Sequence, residues 1–308
     1  MLSDFLSLHD LTPYQFSRLM DLTREIKEKP HRFRNRLQNK ILAMIFEKPS
    51  LRTRVTFETG MLQLGGEAIY LSPSDVQMGT RETPSDVGKN LERWVDAIMI
   101  RTFAHQIAVD LAQACEIPVI NALTDLLHPC QAMADFFTLK EKIGDLAHAK
   151  LAYVGDGNNV CHSLMFAAAK TGTKMAVAAP PGYEPDPEII RQAEKDGEET
   201  QFEVLLTADP FEAVQNADAV YTDVWASMGQ ETEKDQREEI FPPYQVNKEM
   251  MAQAKQDALF MHCLPAHRGE EVTDEIIDSD RSVVFDQAEN RLHVQKAIML
   301  LLLEQKKK

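Results

Sequence analysis

Cysteine is scarce in this chain, and cations are outnumbered by anions. The four cysteines, Cys115, Cys130, Cys161 and Cys263, lie far apart with no C-x-x-C spacing. That excludes a disulfide framework and a zinc site of the usual ligand spacing, and predicts a reducing, cytoplasmic setting. Lys and Arg number 33 against 48 Asp and Glu, a formal net charge of −15. So acidic a chain repels polyanions, which argues against sequence-independent binding to nucleic acid or to an anionic membrane surface. Any anion it binds must meet a local cluster of cations. Long apolar runs are missing as well: the longest, Ala297 to Leu303, falls far below the ~20 residues of a membrane helix. The opening "MLSDFLSLHD" has neither the basic start nor the apolar stretch of a secretory signal, so a soluble protein is expected.

What the chain does have is enough apolar content, 44% of 308 residues, for two cores, and the length predicts two domains of about 150 residues each. Thr12, Pro13 and Gln15 form a capping-box start for an opening helix. Apolar "ILAMIF" then reads as a strand, followed by a basic loop and a helix carrying Phe57, Met61 and Leu64 before Gly65-Gly66. "EAIYLS", "DAIMIRT" and "IPVINAL" read as further strands with helix-forming segments such as "HQIAVDLAQACE" between them. Beyond a charged, glycine-broken stretch at "LKEKIGDLAHAK", read as a hinge, a second series follows. It runs through "KLAYVGD", "KMAVAAPP", "FEVLLTAD", "DAVYTDVW", "DALFMHCLP" and "SVVFDQAEN" to a closing helix, "VQKAIMLLLLEQ". This alternation predicts an α/β fold of two doubly wound parallel-sheet domains joined by a hinge. The expected boundaries are 1–142 and 143–286, with a C-terminal helix over 287–308 packing back on the first domain.

Ligands of open parallel sheets bind beyond the carboxyl ends of the strands, so the residues just after each strand carry the functional reading. "FEKPSLRTR" ends a core strand in Ser50, Arg52, Thr53 and Arg54; "DAIMI" is followed by Arg101 and Thr102, and "IPVINAL" by His128, Pro129 and Gln131. Arginines at a helix N-terminus suit a phosphate. The plain alternative for the loop alone is that Ser50 caps a helix and the arginines are solvated; Arg101 and His128 at equivalent strand ends weigh toward the ligand. In the second half, "VGDGNN" suggests a dinucleotide turn. However, Val160 stands where the third glycine of G-x-G-x-x-G belongs, and "AVAAPP" ends without an acidic residue for the ribose. Asn158, Asn159, Asp223, Ser227 and Cys263 suit an amino acid instead, a carboxylate and hydroxyl for an ammonium and amides for a carboxylate. Each also has a plain alternative: Asp223 as a helix cap, Cys263 as a small buried residue, His262 as a satisfied core side chain.

Taken in order, "SLRTR", "VQMGTRE", Arg101-Thr102, "HPCQ", "GDGNN", "DVWASMG", "HCLP" and "AENR" closely resemble the ornithine carbamoyltransferases of the aspartate/ornithine carbamoyltransferase superfamily, over essentially the whole chain. The resemblance implies transfer of the carbamoyl group of carbamoyl phosphate to the side-chain amine of L-ornithine, giving L-citrulline and phosphate in arginine biosynthesis. It implies no metal or organic cofactor, and a cytoplasmic homotrimer or multiple of trimers. It assigns Ser50, Leu51, Arg52, Thr53, Gln77, Arg101, His128, Gln131 and Arg291 to carbamoyl phosphate, with Gln77 reaching a neighbouring subunit's site. Asn159, Asp223, Ser227, Met228, Cys263 and Leu264 are assigned to ornithine, and Arg52, Arg101, His128 and Cys263 to catalysis. Leu51 departs from the family loop, which has threonine there, and leaves N-acetylornithine, putrescine or aspartate open as acceptors.

Overall fold

The computed structural model describes residues 2–304 apart from 77, 80, 227, 228 and 230. The chain divides into two compact units, Met1–Met133 with Asn290–Lys308, and Ala134–Glu289. The divisions fall inside two helices, Pro129–Ile143 and Val284–Leu303. The stretch "LKEKI" is thus helical.

The first unit holds a sheet of β1 (Ile41–Phe46), β2 (Glu67–Leu71), β3 (Ala97–Arg101) and β4 (Val119–Leu123), every pair parallel, in the order β2-β1-β3-β4. β1, β3 and β4 are almost wholly buried, as strands covered by helices on both faces must be. The opening helix, Pro13–Glu28, starts at Thr12 with the full reciprocal capping box. The helix Leu51–Gln63 packs against the C-terminal part of Val284–Leu303 at Gly60, where a Cβ would stand 2.8 Å from Met299 Cε. From Val294 to Leu302 that last helix buries Val294, Ala297, Ile298, Met299, Leu300 and Leu302.

The second unit holds β5 (Lys150–Val154), β6 (Lys174–Ala178), β7 (Val204–Thr207), β8 (Ala219–Thr222) and β9 (Leu259–His262), again all parallel, in the order β7-β6-β5-β8-β9. Its core joins Ala152, Val154, Ala176, Val220 and Phe260 from the sheet to Val214, Met250 and Ile277 outside it. "SVVFDQAEN" does not add a strand. Ser282 makes a single bridge to Phe260, and the helix begins at Val284. β9 therefore remains the last strand of the sheet.

In both sheets the chain winds one way and then the other, and the reversal lies between β1 and β3 in the first unit and between β5 and β8 in the second. At such a switch point the loops leaving the two strands go to opposite faces and open a crevice. No helix among the described residues is long and apolar enough to cross a membrane.

Candidate active site

At the switch point of the first unit, β1 runs into Glu47, Lys48 and Pro49, and Ser50 takes an extended conformation that caps the helix Leu51–Gln63. Its hydroxyl accepts the Thr53 N–H at 3.2 Å and donates to Thr53 Oγ1 at 3.1 Å. Leu51 is 76% exposed and brings no polar side-chain atom, while Arg52 is half-buried on the same turn. β3 ends in buried Arg101, and the Thr102 hydroxyl donates to the Glu47 carboxylate. After β4, buried His128 and Gln131 stand at the start of Pro129–Ile143. Arg291, from the last helix, donates through Nη2 to Thr53 Oγ1 at 2.8 Å and through Nη1 to Gln131 Oε1.

The three guanidinium groups Arg291, Arg101 and Arg52 all bear on His128. Burial first, and then those charges, hold its imidazole well below the ordinary histidine range. A neutral histidine among fixed cations can donate one N–H to an oxygen without adding to the repulsion. Ser50, Arg52, Thr53, Arg101, His128, Gln131 and Arg291 are therefore brought together, with Leu51 exposed beside them. Gln77 lies outside the described residues. Beside β1's end, an open cavity of about 280 Å³ is lined by Phe46, Glu47, Met78 and Phe103 among others, and none of the guanidinium groups lines it.

Two residues of this unit went unread in the sequence. Lys48 is buried, with Nζ 2.5 Å from Asp125 Oδ1 and 4.3 Å from the centre of the Phe103 ring. It ties the loop carrying Arg52 to the loop carrying His128. Nothing in the spacing of "FEKPS" marks it for burial. Cys130, inside "HPCQ", is fully buried and donates to the Asn121 carbonyl; burial pushes its thiol up to about 12.

At the switch point of the second unit, β5 runs into Gly155, Asp156 and Gly157. Gly155 sits at φ +135°, and a Cβ on Gly157 would stand 2.2 Å from the backbone nitrogen of Pro185. Both glycines of the "GDG" turn thus answer to local backbone constraints. Asn158 caps the helix Asn159–Thr171: its Oδ1 accepts Val160 N–H at 2.9 Å and Cys161 N–H at 3.2 Å. That fixes which end of the amide faces outward, and Nδ2 donates to Asp223 Oδ2 at 2.8 Å. Asp223, buried beyond β8, accepts the Cys263 thiol at 3.0 Å and the Val224 N–H at 2.9 Å on Oδ1. It caps no helix here; its carboxylate organises the site. Asn159 is half-buried at the first position of the helix. Cys263 and Leu264 follow β9, Leu264 at φ +58° ahead of a cis peptide to Pro265. Ser227 and Met228 lie outside the described residues.

His262 does behave as a satisfied core histidine. Its Nδ1 accepts the Leu264 N–H at 2.9 Å, and its Nε2 lies 3.1 Å from Glu271 Oε1, both side chains being fully buried. The ring thereby holds the Cys263–Leu264 turn in place. Asp223, His262 and Cys263 bring ligand-type atoms within 4.8 Å of one another, as do His267, Glu270 and Glu271. With both nitrogens of His262 already engaged, the first set offers a cation only Asp223 and Cys263. Glu271, Asp135 and Gln287 were not legible in the sequence. Asp135 accepts Tyr221 Oη–H at 3.0 Å and Gln287 Nε2–H at 2.7 Å, and Gln287 accepts the His262 N–H at 3.0 Å.

Fold and sites define an α/β protein with a cluster of guanidinium groups at the switch point of one unit and a cluster of carboxylate, amide and thiol at that of the other. Two family models match the chain, "Aspartate/ornithine carbamoyltransferase, carbamoyl-P binding domain" over residues 3–141 and "Aspartate/ornithine carbamoyltransferase, Asp/Orn binding domain" over 147–302. The chain belongs to the aspartate/ornithine carbamoyltransferase family. It is 53% identical over 305 residues to an ornithine carbamoyltransferase of Pyrococcus horikoshii, covering 97% of this chain and 95% of that protein. It is 52% identical over 305 residues to one from Pyrococcus furiosus named anabolic, covering 97% of this chain and 96% of that protein. A solved ornithine carbamoyltransferase from Pyrococcus furiosus is similar throughout, with a TM-score of 0.96 at 50% identity and complete coverage of both chains.

Proposed function

We propose that the protein transfers the carbamoyl group of carbamoyl phosphate to the side-chain amine of L-ornithine, giving L-citrulline and phosphate. One observation carries this reading: the switch point of one sheet holds three guanidinium groups around a neutral histidine, and that of the other holds a buried carboxylate bonded to an amide and a thiol. The first is chemistry for a phosphorylated carbamate, the second for an α-amino acid. Residues 1–142 with the C-terminal helix 287–308 act as the carbamoyl-phosphate domain, and 143–286 as the ornithine domain.

Ser50, Arg52, Thr53 and the open N–H groups of the capped helix hold the phosphate, Leu51 contributing through its main chain. Arg291 braces Thr53 and Gln131 and adds its charge. Arg101, His128 and Gln131 donate to the carbamoyl oxygen. As the amine nitrogen bonds to the carbonyl carbon, negative charge gathers on that oxygen, and donors already in place stabilise it without reorganising. The C–O bond to phosphate then breaks, phosphate leaves with the electron pair, and the amine nitrogen passes its extra proton to the departing phosphate, which leaves as hydrogen phosphate.

The amine must attack neutral. An amine with a pKa near 10.4 costs about 3 kcal/mol to deprotonate at pH 8, and burial away from water lowers that cost. Cys263, whose S–H is directed to Asp223, offers its sulfur as acceptor for an amine N–H, with Leu264 beside it. Asp223 and Ser227 hold the α-ammonium, and Asn159 and the Met228 main chain the α-carboxylate. Among the described residues of this site there is no cation of the kind a second substrate carboxylate would need, which disfavours aspartate; putrescine has no carboxylate for Asn159.

The enzyme acts as a cytoplasmic homotrimer or multiple of trimers, with Gln77 entering a neighbour's site. Exposed Leu62 and Trp94 in the first unit support a covered face. The anabolic name of one relative supports the direction of arginine synthesis. The test is incubation with carbamoyl phosphate and, separately, ornithine, N-acetylornithine, putrescine and aspartate, with detection of the ureido product. Ornithine is expected to give the highest kcat/KM, and a larger value for any other amine overturns the acceptor assignment.

A further inference from the structure

A buried arginine stands behind the acceptor site and touches both loops that build it. Arg237, in the helix Lys234–Ile240, is 4% exposed. Its Nη1 lies 3.0 Å from Asp156 Oδ2 and donates to the Trp225 carbonyl at 2.6 Å. Its Nε and Nη2 both reach Glu233 Oε2 at 3.0 Å. The guanidinium carbon lies 4.7 Å from the centre of the Tyr183 ring and 5.7 Å from that of Phe241. Trp225 in turn packs on Phe241, ring centres 5.9 Å apart.

The positions of its partners in the chain give this box its meaning. Asp156 stands two residues before Asn158, and Trp225 two residues after Asp223. Asn158 and Asp223 are the pair whose 2.8 Å hydrogen bond organises the site. Past the ends of β5 and β8 the sheet no longer ties these loops together. Taking a guanidinium and a carboxylate out of water carries a desolvation cost of several kcal/mol per ion, and burying an apolar side chain here would avoid it. An apolar side chain, however, could not bond a carboxylate in one loop and a carbonyl in the other at once; the planar fork of arginine does so in one fixed geometry.

We infer that Arg237 is a positioning residue for the acceptor: it clamps the Asp156 loop to the Trp225 loop and so sets the Asn158–Asp223 geometry that receives the amino acid. This rests on the acceptor reading given above. The charged groups around Asp156 are Arg237, Asp223 and Glu233; burial raises its carboxyl to about 6 and Arg237 opposes the rise. Without Arg237 the carboxyl moves higher still, because both remaining neighbours are anionic. Below the limb set by the amine itself, protonation of Asp156 adds a second fall in kcat/KM for ornithine; without Arg237 that part of the acid limb must begin at higher pH, which a merely structural loss would not produce.

The test uses the full chain with Trp94→Phe, which leaves Trp225 as the sole tryptophan and keeps an aromatic side chain at a position outside both sites; this Trp94→Phe protein is the parent for every comparison. Arg237→Met is expected to raise KM for ornithine tenfold or more, leave KM for carbamoyl phosphate within twofold, and move the acid limb up. Trp225 should become open to acrylamide quenching. Arg237→Lys should keep the limb near its original position while recovering only part of the ornithine KM. If Arg237→Met does not fold, Arg237→Met with Asp156→Asn, which leaves no lone buried carboxylate, carries the same KM and quenching readouts. An unchanged ornithine KM together with unchanged Trp225 quenching overturns the clamp. Parent protein that makes no citrulline overturns the acceptor reading alone, since Trp225 quenching in the same variants still reports whether Arg237 fixes the loops.

Discussion

Asp223→Asn keeps the shape of a buried carboxylate and removes its charge, and the surrounding bonds make the consequence calculable. Both oxygens of Asp223 receive donors: Oδ1 from Cys263 and Val224 N–H, Oδ2 from Asn158 Nδ2. Asparagine supplies one oxygen and one NH2, so a donor must face a donor on one side. Asn158 cannot relieve this by flipping, because its Oδ1 caps a helix through Val160 and Cys161. A buried hydrogen bond left unmade costs about 1–3 kcal/mol, and a bond to a charged group contributes about 1.5–3. Lost attraction for an α-ammonium and a distorted cradle together should weaken acceptor use by about 3 kcal/mol, on the order of a hundredfold in kcat/KM. The assay is steady-state citrulline formation with ornithine varied at saturating carbamoyl phosphate, repeated with the substrates exchanged. The ornithine parameter should carry nearly the whole loss, with KM for carbamoyl phosphate within twofold. A change of less than threefold in the ornithine parameter, or an equal loss for both substrates, refutes the assignment of Asp223.

Lys48→Met removes the tie between the Arg52 and His128 loops while preserving bulk; KM for carbamoyl phosphate is expected to rise about tenfold, roughly 1.4 kcal/mol, and ornithine KM to stay put. His128 stays neutral in the folded protein, whereas the unfolded chain takes up a proton below about pH 6.5. Its effect on stability is therefore absent above that pH and destabilising below it, by at most about 1.4 kcal/mol per pH unit. His128→Gln should flatten the fall in urea midpoint between pH 6.5 and 5, and an unaltered slope counts against a neutral His128. Cys130 and Cys161 are fully buried with raised thiol pKa values, while Cys263 is half-buried. In native protein a thiol reagent at pH 8 should label Cys263 well before either of them, and early modification of Cys130 would contradict its burial.

Much of the architecture was legible because strands and helices announce themselves over short spans. "ILAMIF" became β1, "KLAYVGD" became β5, and Thr12 and Gln15 closed the capping box they predicted. The turn at Gly155–Gly157 could be set apart from a dinucleotide fingerprint because that fingerprint has fixed spacings, and Val160 and the end of "AVAAPP" break them. "SVVFDQAEN" misled because a β-branched apolar start reads alike at the head of a buried helix and in a strand. What tells them apart is the single bridge at Ser282 and the helix that follows.

The sequence alone determined which chemistry could be present: hydroxyls and guanidiniums behind the strands of one half, amides, a carboxylate and a thiol behind those of the other. Tertiary structure decided how those groups are held. Arg291 meets Thr53 across 238 positions of chain, and no periodicity carries information over that distance. Lys48, Arg237 and Glu271 look like ordinary surface charges in a linear reading, because the cost of burying a charge and the partners that offset it exist only once distant segments are packed around it.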